Sequence, residues 1–176
     1  MTLAQRLTDV IRIIPDFPKA GISFKDITPI FHDPILVRDC AQALAEPFRA
    51  VGINKVIGIE SRGFLLGPMI AQELSCAFVM VRKKGKLPAD TYAVSYELEY
   101  GNATIEVHRD AIEPGDRVII HDDLLATGGT AAAAAQLCRQ TDAEVAGFAF
   151  IVALTFLGGA DKLNPFSAHQ VSLVRN

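Results

Sequence analysis

At 176 residues the chain is long enough for one domain with a substantial buried core. Half of the residues are hydrophobic and the formal net charge is −3, so the basic excess of a general nucleic-acid binder is missing; the few basic clusters are local and suit a small anionic ligand. Cys40, Cys76 and Cys138 are too few and too scattered for a disulfide framework or a metal set, the four histidines lack zinc spacing, and no stretch is apolar over a membrane-spanning length.

Leu3, Leu7, Val10, Ile11 and Ile14 recur at helical spacing until Pro15. With Arg6, Asp9 and Arg12 in the same stretch, this predicts an amphipathic helix rather than a secretion signal. Residues 15–34 hold four prolines and predict a long irregular segment, the kind that more often carries function than idles. Asp33–Pro34 is a helix start signal, and the helix should run to about Ala50. Val56–Ile59 reads as a buried strand ending at Glu60, followed by Ser61-Arg62-Gly63-Phe64 and a helix from about Leu65 to Glu73. Ala77–Val81 is a second buried strand, running into Arg82, Lys83, Lys84, Gly85 and Lys86. Residues 87–103 lack a continuous apolar run and predict an exposed loop or hairpin. Short strands follow at Thr104–Val107 and Val118–Ile120, then a helix from Thr130 to about Arg139 and a long apolar strand, Val145–Leu154. The last twenty residues read as a loop that can end in an edge strand. Helices alternating with apolar runs predict an α/β protein with a mostly parallel central sheet flanked by helices. Neither a repeat nor a linker divides 1–176, so one domain is expected, with an N-terminal arm of about 1–34 folding over the sheet.

The densest chemistry lies in Arg117–Thr130, where an apolar strand runs into Asp122 and Asp123. Adjacent strand residues point to opposite faces, but at a strand exit both carboxylates can turn toward one ligand, accepting from vicinal hydroxyls or approaching a divalent cation. A solvated turn would need no ligand. Leu124, Ala126, Thr127, Gly128, Gly129 and Thr130 then lead into a helix N-terminus, whose free N–H groups and threonine hydroxyls can hold a phosphate monoester. Simple capping by Thr130 is the plainer alternative. The stretch has neither GxxxxGK[ST] nor GxGxxG, which argues against triphosphate hydrolysis and hydride transfer. Arg62, beside Gly63 at another strand exit, presents a planar fork to phosphate oxygens, and Arg82, Lys83 and Lys86 follow the next strand. Two basic exits beside an acidic one predict a ligand with a second phosphate group far from the first. Glu97 and Glu99 lie in 96–101, where alternation turns Tyr96, Leu98 and Tyr100 the other way. A flap carrying a general acid or base would exclude water on closing.

These residues carry a family resemblance. HDDLLATGGT is similar to the phosphoribosyl-pyrophosphate signature of the type I phosphoribosyltransferases. DFPKAGISFKDITP, ESRGFLLGP, VRKKGKLP and SYELEYG, in that order, resemble the members acting on adenine, over nearly the whole chain. The resemblance implies a parallel core with a small hood and a flexible catalytic loop: about 1–34 and 156–176 contributing hood and tail, 35–155 the core, and 82–103 the loop. It implies transfer of the 5-phosphoribosyl group from 5-phosphoribosyl 1-pyrophosphate to adenine, giving AMP and pyrophosphate in purine salvage, in a cytoplasmic homodimer. On the same basis Asp122 and Asp123 hold the ribose hydroxyls, directly or through Mg²⁺ bound mainly by the donor, and Ala126–Thr130 cradle the 5′-phosphate. Ser61, Arg62 and Lys86 bind pyrophosphate, with Lys83 in the same basic run and Arg82 reaching across the dimer. Phe24 stacks on the purine while backbone at Ile22 and Ser23 reads its edge. Glu99 is the acid/base candidate and Tyr100 belongs to the closing loop.

Three details depart from or qualify that match. Lys25 stands where some members carry arginine, keeping the charge but losing the fork. His121, just before the acids, reads as a core or supporting residue rather than a catalytic one. Another purine, xanthine or hypoxanthine/guanine, is the first alternative substrate, and a non-enzymatic regulator that binds phosphoribosyl pyrophosphate is the second.

Overall fold

The computed structural model describes residues 1–97 and 101–176. Helix α1 (Leu3–Val10) starts at a capping box in which Thr2 and Gln5 satisfy each other's backbone N–H groups. It stops earlier than its apolar rhythm predicts, because the stretch with β-branched Ile11, Ile13 and Ile14 goes extended. Arg12–Ile14 forms β1, which pairs antiparallel with β2 (Phe24–Asp26), and Arg12 faces Asp26 at 3.2 Å across the pair. This two-stranded sheet stands apart from the main one.

Helix α2 (Pro34–Ala45) begins where expected, with the Asp33 carboxylate accepting from the N–H groups of Ile35 and Leu36. The chain continues through β3 (Lys55–Ile59), α3 (Gly63–Glu73), β4 (Ala77–Lys83), the hairpin β5 (Thr91–Glu97) and β6 (Asn102–His108), β7 (Arg117–Leu125), α4 (Gly129–Gln140), β8 (Glu144–Ala153), α5 (Gly159–Leu163) and β9 (Gln170–Arg175). The main sheet runs β5-β6-β4-β3-β7-β8-β9, with β4 through β9 in that row parallel to their neighbours and the β5–β6 hairpin joined antiparallel to β4. Of the stretch 87–103, the described part is thus largely hairpin, and the C-terminal VSLV lies in edge strand β9.

Helices cover both faces. On one, Leu36, Cys40 and Leu44 of α2 and Leu66 and Ile70 of α3 pack on Val56, Ile119 and Ile151. On the other, the alanines of α4 lie close against Ile57, Ile120, Phe148 and Phe150, and α5 adds Leu163. Cys40 and Cys138 are buried free thiols, and burial pushes both up to about 12, so they behave as small apolar groups.

Two features position the site. From β3 the chain moves outward to β4, while β7, on the other side of β3, leads to β8 and β9. The carboxyl ends of β3 and β7 therefore flank the switch point where open parallel sheets bind ligands. Strand β7 also extends past Ile120, where the apolar run ends. Its pairing with β3 stops at Gly58–His121, but its pairing with β8 continues to Leu125–Ala153. The acids thus sit on a strand still bonded on one side and open on the other.

Candidate active site

The β7 end is local in sequence. Asp122 and residues 124–131 line a cavity of about 80 Å³, the scale of a phosphate group rather than a nucleoside. Gly128 precedes α4 in the left-handed region at φ 77°, no side chain caps the helix, and its first residues Gly129, Thr130 and Ala131 line the cavity. A Cβ on Gly128 would also lie 2.6 Å from the Gly159 carbonyl oxygen, so α5 closes over the loop only because this residue is glycine. Thr127 is exposed, while Thr130 donates its hydroxyl to Tyr96 Oη at 3.1 Å, tying β5 of the hairpin to the start of α4.

The two acids have separate partners. Asp122 Oδ1 accepts from the Asp123 N–H at 2.9 Å, and Asp123 Oδ2 pairs with Arg62 Nε at 3.0 Å. Burial, then the charge of Asp123, holds the Asp122 carboxyl well above the usual carboxylate range. Burial also raises Asp123, against the opposing pull of Arg62. Like charges held together and out of water favour hydroxyls or a cation in front of them. The first turn of α3 comes against them through Gly63, where a Cβ would meet the His121 carbonyl oxygen at 2.7 Å and Asp122 Oδ1 at 3.4 Å. His121 is fully buried, with Nδ1 2.9 Å from the Ala149 carbonyl, and burial lowers it to about 4. It is a neutral core residue, as its place in an apolar run predicts.

Arg62 joins this acidic end to the small sheet: its guanidinium lies over the Phe24 ring, 5.4 Å from the centroid. Phe17 meets Phe24 edge-on at 5.1 Å between centroids and is half exposed, so Phe24 offers a supported aromatic shelf. Ile22 uses both backbone groups in a turn, donating to the Lys19 carbonyl and accepting from the Phe17 N–H, each at 3.2 Å. Ser23 is exposed beside it, and Lys25 stands opposite Ile13 in the β1–β2 register.

The basic residues gather elsewhere. Arg82, Lys86 and the Lys83 N–H all converge on the carboxylate of Glu60. Within this chain Arg82 Nε lies 3.3 Å from Glu60 Oε2. Ser61 is exposed at the turn between Glu60 and Arg62, and its carbonyl accepts from the Phe64 N–H at 3.1 Å. The two flap residues expected to act in catalysis, Glu99 and Tyr100, lie outside the described residues.

The site also contains residues that sequence reasoning did not single out. Glu60 was visible only as the end of a strand; the parallel register that aligns Ile59 with Val81 is what brings it to Arg82. Alternation set Tyr96 on the face away from Glu97, but its contact with Thr130 depends on how α4 meets β5. Gly159 had no signal beyond being one of two adjacent glycines.

A sheet switch point with a helix-capped cavity, a buried acid pair and a separate basic cluster defines a sugar-phosphate-binding α/β domain. The model of the phosphoribosyl transferase domain matches residues 26–166, most of the chain. An adenine phosphoribosyltransferase of Methylobacterium sp. (strain 4-46) is 51% identical over 168 residues, 96% of this chain and 93% of its own. The adenine phosphoribosyltransferase of Rhodothermus marinus superposes with a TM-score of 0.93 at 53% identity, covering 99% of this chain and 98% of that one. That of Saccharomyces cerevisiae, complexed with an imino-altritol bisphosphate and adenine, gives 0.91 at 43% identity over 97% of this chain and 98% of its own. Within the phosphoribosyl transferase class, the chain belongs to the adenine phosphoribosyltransferase family.

Proposed function

We propose that this protein transfers the 5-phosphoribosyl group from 5-phosphoribosyl 1-pyrophosphate to adenine, releasing AMP and pyrophosphate for purine salvage. The observation that carries this reading is Arg62, which touches both the acid pair of the sugar site and the aromatic shelf of Phe24. A ribose held by Asp122 and Asp123, with its 5′-phosphate in the Gly128 loop, would present its anomeric carbon toward that shelf. The yeast relative with a bisphosphate and adenine bound supports the same pairing of ligands.

In this reading the chain works by placing its ligands. The N–H groups of 126–130 fix the 5′-phosphate, the acids orient the ribose, and Lys86 with Arg82 faces the departing diphosphate. Adenine displaces pyrophosphate from the anomeric carbon through an oxocarbenium-like transition state, with inversion. Glu99 and Tyr100 enter by family resemblance, Glu99 to manage the purine proton and Tyr100 in loop closure.

The acid pair fits Mg²⁺ as a minor partner. Among the described residues no cluster of three His, Cys, Asp or Glu side chains could hold a metal, so Asp122 and Asp123 would supply part of an oxygen shell completed by the donor and water. The bound ion would neutralise charge on the diphosphate. A homodimer and a cytoplasmic location complete the reading. Leu65 and Met80, each 45% exposed, are apolar groups a partner copy could cover. No described helix is long and apolar enough to cross a membrane.

Product formation from phosphoribosyl pyrophosphate and Mg²⁺ with adenine, hypoxanthine, guanine and xanthine tests the assignment. Strong selectivity for adenine is expected. Equal use of guanine would sink the base assignment, and turnover of none would favour a binding protein.

A further inference from the structure

Glu60 follows β3 directly, one residue before the Ser61–Arg62 turn, and its side chain is only 8% exposed. Four donors converge on it: Lys86 Nζ at 2.6 Å, the Lys83 N–H at 3.0 Å, and Arg82 Nε and Nη2 at 3.3 and 3.4 Å. The arrangement is built rather than casual. The Glu60 N–H donates to the Val81 carbonyl at 2.9 Å, extending the β3–β4 ladder so that Glu60 meets Arg82. The chain then turns at Gly85, whose N–H donates to Glu106 Oε2 at 2.9 Å, and Lys86 comes back over Glu60. Arg82 Nη1 closes the ring by donating to the Lys86 carbonyl at 3.1 Å. Burial alone would push the Glu60 carboxyl up, but the hydrogen bonds from Lys86, the Lys83 N–H and Arg82 outweigh it and bring it to about 2. It is a carboxylate throughout the neutral range.

The cations assigned above to the diphosphate are therefore already engaged by an anion of the chain itself. A diphosphate reaching Lys86 and Arg82 must draw them from Glu60, or share them while its own oxygens face the carboxylate; either course costs binding energy. We propose that Glu60 is a positioning residue that acts as a resident competitor for the diphosphate, holding Lys86 and Arg82 in place and weakening the site's grip on pyrophosphate, the product that must leave. The inference rests on the reading that Lys86 and Arg82 serve the diphosphate end. A merely structural clip would give the opposite result, since loosening it would weaken anion binding.

Glu60→Gln separates the two, because the amide oxygen can still accept from Lys86 and Arg82 while the competing charge is gone. Titration calorimetry with inorganic pyrophosphate, Mg²⁺ present throughout, should show binding about threefold to tenfold tighter than wild type, with a matching fall in the pyrophosphate inhibition constant. Unchanged or weaker binding overturns the proposal. Lys86→Met, measured in parallel, should bind pyrophosphate more weakly; if it binds equally well, Lys86 does not serve the diphosphate and the underlying reading fails as well. Should Glu60→Gln not fold, the wild type decides by carboxyl ¹³C NMR. At neutral pH, pyrophosphate with Mg²⁺ should shift the Glu60 carboxyl resonance as its cations are drawn away, and a resonance that stays put overturns the proposal.

Discussion

At the β7 end, the loop around the small cavity is one continuous run from Asp122 to Thr130, and what matters is where its backbone goes. At the β3–β4 end, Glu60 and Lys86 stand 26 positions apart, and what matters is which side chains a parallel register brings together. The first is a shaped cavity lined in part by the start of a helix; the second is a set of charges that share partners. Backbone cavities fail abruptly when their shape is lost, whereas shared charges can be retuned one contact at a time.

Gly128→Ala is the strongest test of the first half of that contrast. The left-handed backbone alone costs about a factor of ten in the correctly formed loop, and the added Cβ would press on the Gly159 carbonyl. A loss in kcat/KM for phosphoribosyl pyrophosphate on the order of a hundredfold is expected, with little change in the far-ultraviolet circular dichroism. Near wild-type steady-state kinetics would show that the loop tolerates another shape.

Arg62→Lys probes the bridge between regions. The family resemblance places Arg62 at pyrophosphate, whereas the structure places it between Asp123 and the face of Phe24. Lysine keeps the charge and loses the plane. If Arg62 serves the base shelf, KM for adenine should rise about five- to tenfold while KM for phosphoribosyl pyrophosphate changes less. The reverse pattern would return Arg62 to the diphosphate.

The same contrast explains what could be read from the chain. The strands and helices of the core were legible because buried runs such as Val56–Ile59 and caps such as Asp33–Pro34 are local signals. The acid pair and the Gly128 loop were legible for the same reason. Two boundaries were not: α1 yields to β1 at Ile11, because pairing with Phe24–Asp26 outweighs a helical rhythm, and β7 runs on through the acids because β8 continues beside it. Glu60 escaped notice as a site residue because its role exists only once β3 and β4 are aligned, and no spacing within either segment encodes that. Arg62 was read as a phosphate-binding arginine, but its contact with Phe24 depends on the small sheet folding over the switch point.

The smallest expected effect is also the sharpest comparison, because the carboxylates at the two ends are shifted in opposite directions. Glu60 is lowered to about 2 in the fold from an ordinary 4.5, so its ionised form favours folding. That stability is fully present above pH 4.5 and is lost as pH falls toward 2. Asp122 is raised above 3.8, first by burial and then by Asp123, so its ionised form opposes folding. That penalty is full above its raised value, shrinks as pH falls from there, and is gone only below 3.8. At pH 7 without ligand, neutral isosteres should therefore act in opposite senses. Asp122→Asn should raise the melting temperature by about 2–4 °C while impairing catalysis, and Glu60→Gln should lower it by a few degrees at most. Scanning calorimetry of the two variants reads both signs directly. Shifts of the same sign would mean that the two carboxylates are held by similar surroundings, and the division between a strained acidic end and a satisfied basic end would fall.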